Sequence, residues 1–553
     1  MSESSLSALA SRVESGDTLA FGGKTLHRGP VAFARELARQ DVTDLGHVGL
    51  AKAVEVDLLC GTGQLDRLDF GYVGFEALGL APNFRRRAEA GDLDVREGSC
   101  YTVATSLRAA EKGVPFLQVA GLDGSDLPSV NGAFRRVDGP FDADEPWAVR
   151  RVTPDVAVLH ATAADTEGNV RFEGADLTEG LIVRAADTVL VTAERVLDPE
   201  EFADGRTDIP GFLVDGVAEV PYGAHPCSCP GAYDYDAGHL RTYLEHARSG
   251  RIDEYVAECV GATEADYREA AVAGREAEIE WRVGDAPGGW PAGAAGDANG
   301  GGDEEPRVTV AEAMCVAIAR RLRDHRTVFQ GFASPLPTTA LRLARERYDD
   351  VTHLSASGAV NGEPARLPVS TEDQHLLEAG VGQFTSPEAF DLAARGGVDV
   401  MFVGGAQFDR QGRMNGSVVG DYDAPKVRFG GAGGSGSLFP LVHNAFGWRT
   451  EHSPRVLPEQ VDFVTASGNL SYLVTPLCEF EPRDGELQVV SLLPGVDRQT
   501  VVEQTGWDVS FDDSDRVEPP TQAELSALDR VDPTRVRRDG FDADRLEPIV
   551  SRV

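Results

Sequence analysis

Short apolar runs that end at glycine recur along this chain and alternate with amphipathic segments. The clearest run is residues 398–403, which ends at Gly404 and Gly405 and is followed by a polar turn and a second glycine-rich turn at residues 430–434. Such a run, bounded by glycine, is typical of a buried strand. In open α/β sheets, ligands bind outside the carboxyl ends of strands, where glycine lets a ligand approach the backbone. The pattern therefore predicts a pair of ligand-binding loops.

The first half of the chain shows the same alternation of strands and helices. Residues 17–21, 47–50, 56–61, 114–117, 156–160 and 188–192 are predicted strands, with weaker evidence for residues 68–75. Pro30 is well placed to open a helix after the first strand. Strands that alternate with helices indicate a mostly parallel sheet.

The second half repeats this order after a break. Residues 309–324 predict a helix and residues 327–331 a strand. Another helix is predicted to begin after residues 335–337 and to run to about Arg347, before the strand at residues 351–355. Residues 284–306 are rich in Gly, Ala and Asp, a composition typical of a flexible linker. We predict two related α/β domains, residues 1–283 and 307–553.

The charge of the chain is strongly negative. Lys and Arg number 52 against 90 Asp and Glu, for a net charge of -38, and only four of the basic residues are lysine. A dispersed acidic surface suits high internal salt, which screens its repulsion. We expect a halophilic cytoplasmic protein, with an acidic mesophilic protein as the alternative. Nucleic acid is excluded as an expected partner because its phosphates would be repelled, and no apolar run reaches the length of a membrane helix.

Longer motifs add a resemblance to a known family. In the first half they are residues 21–23 with Arg28 and Pro30, residues 221–226 and residues 233–236; in the second half they are residues 404–407, 420–422, 430–434 and 503–507. In this order the motifs resemble family I CoA-transferases of the glutaconate CoA-transferase type, with the A and B subunits fused in one chain.

The resemblance implies two open α/β domains with the active site between them. It implies an acyl-CoA thioester as substrate, a carboxylic acid as acceptor, no bound cofactor or metal, and a homo-oligomer of the fused chain. In the family, a glutamate on the B half attacks the thioester. Backbone amides at Gly404 and Gly405 are candidates for holding the oxyanion.

The chain departs from the family at this glutamate. Where the family has Glu-Ser-Gly or Glu-Asn-Gly, this sequence has Ala356, Ser357 and Gly358. Alanine has no carboxylate, so the usual covalent intermediate cannot form there. Candidates for a replacement are Glu97 as an acid of the A half, Glu363 and the thiol of Cys100.

The remaining candidates are residues that can bind the substrate or CoA. Cationic side chains that follow or precede the glycine turns can pair with phosphate or an anionic acyl group. The predicted binding set is Gly22, Gly23, Lys24, Arg28, Ser357, Gly358, Gln407, Lys426, Arg428, Gly430, Gly431, Gly433 and Gly434. A solvated loop is the alternative for the cations, and His225 is predicted to be structural.

Three functions are consistent with these residues. The first is CoA transfer from an acyl-CoA to a carboxylic acid. The second is hydrolysis of a CoA ester, including a ring-opening hydrolysis, because some relatives that act in steroid breakdown lack the B-half glutamate and use an A-half acid. The third is binding of acyl-CoA without turnover.

Overall fold

A computed structural model describes residues 4–139, 145–282, 308–331, 334–542 and 546. Within these residues, no helix is long and apolar enough to cross a membrane. The predicted linker at residues 284–306 lies outside the described residues, so the domain boundaries stay a prediction.

The first half contains a seven-stranded sheet in which every strand pairing is parallel. Its strand order is β13-β11-β8-β1-β2-β3-β4, and two three-stranded sheets, β10-β9-β12 and β5-β7-β6, lie beside it. The strands are β1 (Thr18–Phe21), β2 (Leu45–Lys52), β3 (Leu65–Val73), β4 (Asp94–Glu97), β5 (Phe116–Val119), β6 (Phe134–Arg136), β7 (Trp147–Arg150), β8 (Val156–Ala161), β9 (Ala163–Asp165), β10 (Val170–Arg171), β11 (Thr188–Ala193), β12 (Val196–Leu197) and β13 (Gly216–Glu219).

Helices connect these strands and cover the sheet. They are α1 (Leu6–Ala10), α2 (Val31–Ala38), α3 (Val54–Gly61), α4 (Pro82–Ala90), α5 (Cys100–Glu111), α6 (Leu127–Val130), α7 (Glu179–Ala185), α8 (Pro199–Phe202), α9 (Ala237–Arg248), α10 (Ile252–Tyr255) and α11 (Glu264–Ala271). The strand predicted at residues 56–61 is wrong, because this run lies in α3. The parallel strands β2 and β3 need a crossover between them, and α3 supplies it.

The second half contains a ten-stranded sheet of order β17-β16-β15-β14-β18-β23-β24-β25-β26-β27. Its centre, from β15 to β24, is parallel. Antiparallel pairings add β16 and β17 on one side and β25 and β26 on the other, and β27 pairs parallel to β26 at the edge. The strands of this sheet are β14 (Thr327–Phe329), β15 (Thr352–Leu354), β16 (Ala359–Val360), β17 (Gly382–Gln383), β18 (Val400–Val403), β23 (Asn444–Trp448), β24 (Leu470–Val474), β25 (Cys478–Arg483), β26 (Glu486–Leu492) and β27 (Phe511–Arg516). Two separate two-stranded sheets pair β19 (Gln407–Phe408) with β20 (Met414–Asn415) and β21 (Val418–Gly420) with β22 (Pro425–Arg428).

The helices of the second half are α12 (Val310–Arg321), α13 (Pro335–Arg347), α14 (Ser386–Ala394), α15 (Ser435–Leu438), α16 (Arg498–Gln504) and α17 (Gln522–Val531). The order β14, α13, β15 repeats β1, α2, β2 of the first half, which confirms two related α/β units. The halves share one apolar core, in which Cys100 and Tyr101 cluster with Phe390 and Met401. The fold is thus two mostly parallel sheets in close contact.

Candidate active site

A small cleft lies between the halves, with a water-accessible volume of about 20 Å³. One lining residue, Lys24, comes from the first half. The others come from the second half and are mostly apolar: Phe329, Gly331, Ala356, Phe384, Ser386, Ala389, Phe390, Met401 and Gly434. The cleft therefore combines apolar walls with one ammonium group.

Parallel strands bring these residues to one edge of the second sheet. β14, β15 and β18 are adjacent and parallel, so their carboxyl ends meet at this edge. Ala356 lies in the turn between β15 and β16 and is 5% exposed. This turn closes at Gly358, whose φ of +90° favours glycine. Ala356 thus presents only a methyl group where the resemblance places a carboxylate.

Lys24 is held beside Ala356 by contacts across the two halves. Its Nζ donates a hydrogen bond to the Ala356 carbonyl oxygen at 3.1 Å and lies 2.6 Å from Glu372 Oε1. Glu372 is buried, as is Glu76 from the first half. Burial raises the pKa of Glu372 to about 7 and also raises the pKa of Glu76. The ammonium therefore lies between the cleft and two buried carboxyl groups.

Arg28, Gly22 and Gly23 are held within the first half. Arg28 is fully buried, pairs with Glu179 at 2.7 Å and donates to two backbone carbonyls. The carbonyls of Gly22 and Gly23 accept hydrogen bonds from Lys52 Nζ at 2.6 and 2.7 Å. The first glycine turn therefore shapes the position of Lys24, and Arg28 does not line the cleft at Ala356.

Glu97 and Arg428 form a buried pair across the halves. The Arg428 guanidinium donates to Glu97 Oε2, while Ser417 Oγ donates to Oε1 at 2.6 Å and the Tyr422 hydroxyl donates to Oε2 at 3.2 Å. Lys426, two residues before Arg428, is exposed. The Glu97 carboxylate thus accepts hydrogen bonds from three side chains of the protein, and it does not line the cleft at Ala356.

The turn at residues 430–434 joins the halves. The Gly430 carbonyl accepts from the Val73 amide, and the Gly433 amide donates to the Gly71 carbonyl, both at 2.8 Å. A Cβ on Gly431 would lie 2.7 Å from the Phe70 ring. Of this turn, Gly434 lines the cleft. The glycines are therefore needed for close packing of the two halves.

The other candidates of the second half lie near strand ends. Ser357 donates its hydroxyl to Ser355 Oγ at 2.9 Å. Gly404 is exposed, and the Gly405 carbonyl accepts from Arg449 at 2.7 Å. The amide of Gln407 donates to the Arg455 carbonyl at 2.8 Å. Their assignment to catalysis or binding stays a prediction.

The surroundings of Cys100, Glu363 and His225 indicate what each side chain can do. Cys100 is buried, its Sγ donates to the Leu50 carbonyl at 3.2 Å, and burial raises its pKa to about 12, so it is a thiol at neutral pH. Glu363 is 55% exposed and pairs with Arg345. His225 is fully buried and hydrogen-bonds Tyr267 at 2.7 Å, which suits a structural histidine.

One group of side chains has the composition of a metal site. The ligand atoms of His160, Glu194 and Cys229 lie within 4.8 Å of one another. Glu194 already accepts hydrogen bonds from His160 and Tyr233, both at 2.7 Å, and from two backbone amides. These contacts satisfy the carboxylate without an ion.

The family model described as Coenzyme A transferase matches residues 3–220 and 311–504, most of the chain and both halves. The chain belongs to the Coenzyme A transferase family. This match agrees with the two halves seen in the fold.

Individual relatives match one half or the whole fold. The glutaconate CoA-transferase of Acidaminococcus fermentans matches through its A-type subunit, which is 36% identical over 43% of this chain and 80% of its own length. The IpdA subunit of the cholesterol ring-cleaving hydrolase from Rhodococcus jostii is 30% identical over 48% of this chain and 94% of its own length. The structure of the acyl-CoA transferase YdiF from Escherichia coli O157:H7 covers 94% of this chain and 95% of its own, with TM-score 0.67 and 16% identity, and shows the common fold.

Lys24 and Gly434, which the sequence predicts to bind substrate or CoA, line the cleft together with Ala356. The carboxyl groups behind Lys24 were not among the predicted site residues. Glu372 follows Ser370 and Thr371 in a polar stretch, and Glu76 follows a strand. In sequence both are typical of solvated loops. Contacts with the other half bury this polar stretch, so the local sequence does not indicate that its carboxyl groups are buried.

Proposed function

We propose that this protein hydrolyses acyl-CoA thioesters in the cleft beside Ala356, releasing a carboxylic acid and free CoA. Water supplies the new oxygen: the bond from the acyl carbon to sulfur breaks, a bond to the oxygen of water forms, and one proton of water passes to the thiolate. In this reaction water attacks the thioester carbonyl directly, and the glutamyl intermediate of CoA transfer does not form.

The observation that carries the proposal is the methyl group of Ala356 in the cleft. Among the described residues that line it, none has a carboxylate. An acyl-glutamyl anhydride therefore has no lining side chain on which to form, whereas the apolar walls made by Phe329, Phe384 and Phe390 suit an apolar acyl group. The similarity to a ring-cleaving hydrolase subunit supports water as the attacking group.

Glu97 is the base that the resemblance predicts for the attacking water; its carboxylate does not line the cleft at Ala356, so the water must reach it from the cleft. It lies three residues before Cys100, whose amide donates to the Gly433 carbonyl, and the next residue, Gly434, lines the cleft. A water near Oε2 would have to replace the Tyr422 hydroxyl, which is the longest of the three side-chain hydrogen bonds to Glu97. A general base of this kind contributes roughly 10²–10⁴-fold to the rate.

Turnover of an acyl-CoA panel, led by butyryl-CoA, tests the proposal. The reaction is run in molar KCl and ¹⁸O-water, with and without acetate and succinate, and followed by mass spectrometry. Hydrolysis predicts free CoA and ¹⁸O-labelled acid without an acceptor. A new CoA ester that needs an acceptor would overturn hydrolysis in favour of transfer, and binding without turnover would leave an acyl-CoA-binding protein.

Glu97→Gln and Glu363→Gln make a matched pair for the base. Both remove one carboxylate, but Glu363 is an exposed loop residue. We expect Glu97→Gln to lose at least about 100-fold in rate and Glu363→Gln to keep the rate. Equal rates in the two variants would remove Glu97 from the mechanism and leave hydrolysis itself untouched.

A further inference from the structure

Two glutamates from opposite halves meet behind Lys24. Glu76 follows β3, and Glu372 lies in the loop that precedes a turn at residues 374–377. Their side chains are buried, at 6% and 0% exposure. Water is therefore not available to solvate two negative charges here.

Both carboxyl groups contact the same hydroxyl. Thr25 Oγ1 lies 2.7 Å from Glu76 Oε1 and 2.6 Å from Glu372 Oε2. A hydroxyl has one hydrogen and can donate it to one of the two oxygens. The other short contact requires a proton on the carboxyl group, which then donates to the Thr25 oxygen. The geometry therefore fits one proton shared by the two acids.

The charges around the pair agree with one shared proton. A pair that holds one proton has a charge of −1, which Lys24 balances at 2.6 Å from Glu372. His27 beside Ser370 adds no charge, because burial first and nearby cations second lower its pKa to about 3. Other titratable groups interact electrostatically with Glu76, Glu372, Lys24 or His27. They are Tyr72, Lys52, Asp373, His375, Cys100, Tyr235 and Arg28.

Polar contacts from the second half fix the pair in place. Ser370 Oγ donates to Glu76 Oε1 at 2.8 Å, and the Thr371 amide donates to Oε2 at 3.0 Å. These donors stabilise Glu76 without supplying a positive charge. The single cation in ion-pair contact with the pair is Lys24, as far as the described part of the chain shows.

We propose that Glu76 and Glu372 share one proton through Thr25 and thereby position the Lys24 side chain beside Ala356, where it stabilises the oxyanion that forms on the thioester carbonyl. This inference rests on the proposed hydrolysis. Glu76 and Glu372 are positioning residues in it, and Lys24 is the group that meets the substrate. An oxyanion donor is typically worth about 10²–10³-fold in rate.

Loss of the shared proton changes the charge of the cluster from 0 to −1. A net negative charge opposes an oxyanion in the cleft, so the hydrolysis rate falls as pH rises through the titration of the pair. The titration of Glu372 near pH 7 sets the window in which this fall is expected. Glu76→Gln leaves one carboxylate paired with Lys24 and removes the second proton site. The hydrolysis rate of this variant should therefore no longer fall near pH 7.

Infrared spectroscopy of the full chain tests the shared proton without turnover. Wild type at pH 6 should show the band of a protonated carboxyl group that both Glu76→Gln and Glu372→Gln remove. Glu264→Gln is the control: burial would raise the pKa of Glu264, but Arg35 and Arg39 lower it, so it is ionised and its loss leaves the band unchanged. Asp373, whose pKa burial raises to about 7, contributes to the absorption of wild type and of both variants alike. A carboxyl absorption of equal strength in wild type and in both variants would overturn the proposal.

The pH profile of butyryl-CoA hydrolysis tests the role of Lys24. We expect Lys24→Met to lose about 100-fold, Glu76→Gln to lose the fall near pH 7, and Glu264→Gln to follow wild type. A Glu76→Gln profile identical to wild type would contradict the link between the pair and the cleft. If wild type hydrolyses no acyl-CoA, the proposed function and the role of Lys24 fail together, while the infrared band still decides whether the acids share a proton.

Discussion

The guanidinium of Arg428 and the carboxylate of Glu97 form an ion pair between the halves of the chain, and the two side chains are 1% and 0% exposed. Arg428 lies at the end of β22 and Glu97 at the end of β4. Because both charges are removed from water, each depends on the other for compensation. The pair therefore connects the assembly of the halves to the acid predicted to be catalytic.

Arg428→Met should destabilise the protein by about 3–5 kcal/mol, since it leaves the Glu97 charge buried without its partner. Urea unfolding in molar KCl measures the change in the free energy of unfolding. Arg96→Met is the control: Arg96 is 36% exposed and pairs with Asp94, and the loss of an exposed pair costs at most about 1 kcal/mol.

Glu97→Gln combined with Arg428→Met completes the test. Without the carboxylate, the loss of the guanidinium should cost less than it does in wild type, because no charge is left unpaired. If Arg428→Met is as mild as Arg96→Met, the pair does not stabilise the contact between the halves.

His375 should make stability depend on pH. Burial alone would lower its pKa, but the hydrogen bond to Asp234 and the charge of Asp373 raise it to about 9. The folded pKa exceeds the unfolded value of 6.5, so the stabilisation is complete below pH 6.5 and is lost as pH rises from 6.5 to about 9. At roughly 1.4 kcal/mol for each pH unit, the loss reaches about 3 kcal/mol.

Urea unfolding at pH 6 and pH 9 measures this loss, and His375→Gln should flatten it. His375 contacts Asp234 of the first half at 2.9 Å and stacks on Trp281, so it too joins the halves. His443→Gln serves as the control because His443 is 59% exposed and lies 3.8 Å from Asp399. The same pH dependence in His375→Gln and wild type would contradict the assignment.

The strands and glycine turns around the cleft were predictable because their signal is local. The apolar run at residues 398–403 contains β18, and the turn that holds Ala356 follows β15 as expected. The contrary case is α3: its apolar run has no periodicity that separates a short strand from a buried helix. Residues 54–61 form a helix because the parallel strands β2 and β3 need a crossover between them.

The partners of the charged residues were not predictable from sequence. Arg428 and Glu97 are 331 positions apart, and Thr25 and Glu372 are 347 apart. Such pairs depend on how two sheets pack, which no local pattern encodes. The same packing uses the glycines of the 430–434 turn for contact between the halves, although their pattern predicted a ligand loop.

Ala356→Glu should introduce CoA transfer. The methyl group of Ala356 lines the cleft next to Lys24, so a carboxylate at this position would enter the site where the resemblance places the family nucleophile. Mass spectrometry should then detect a glutamyl-CoA thioester on the protein and a new CoA ester when succinate is added. Ala356→Gln has the same size without the nucleophile and should form neither. If the two variants behave alike, this position does not correspond to the family glutamate.

The net charge of -38 should make stability depend on salt. At about 0.1 M salt the Debye length is about 10 Å, and at about 1 M it is about 3 Å, so molar KCl screens repulsion among the carboxylates. We therefore expect the melting temperature to rise steeply between these two conditions. Sucrose of equal osmolality is the control, because it is excluded from the protein surface but screens no charge. A melting temperature that rises equally in sucrose and KCl would assign the effect to exclusion and contradict the halophilic interpretation.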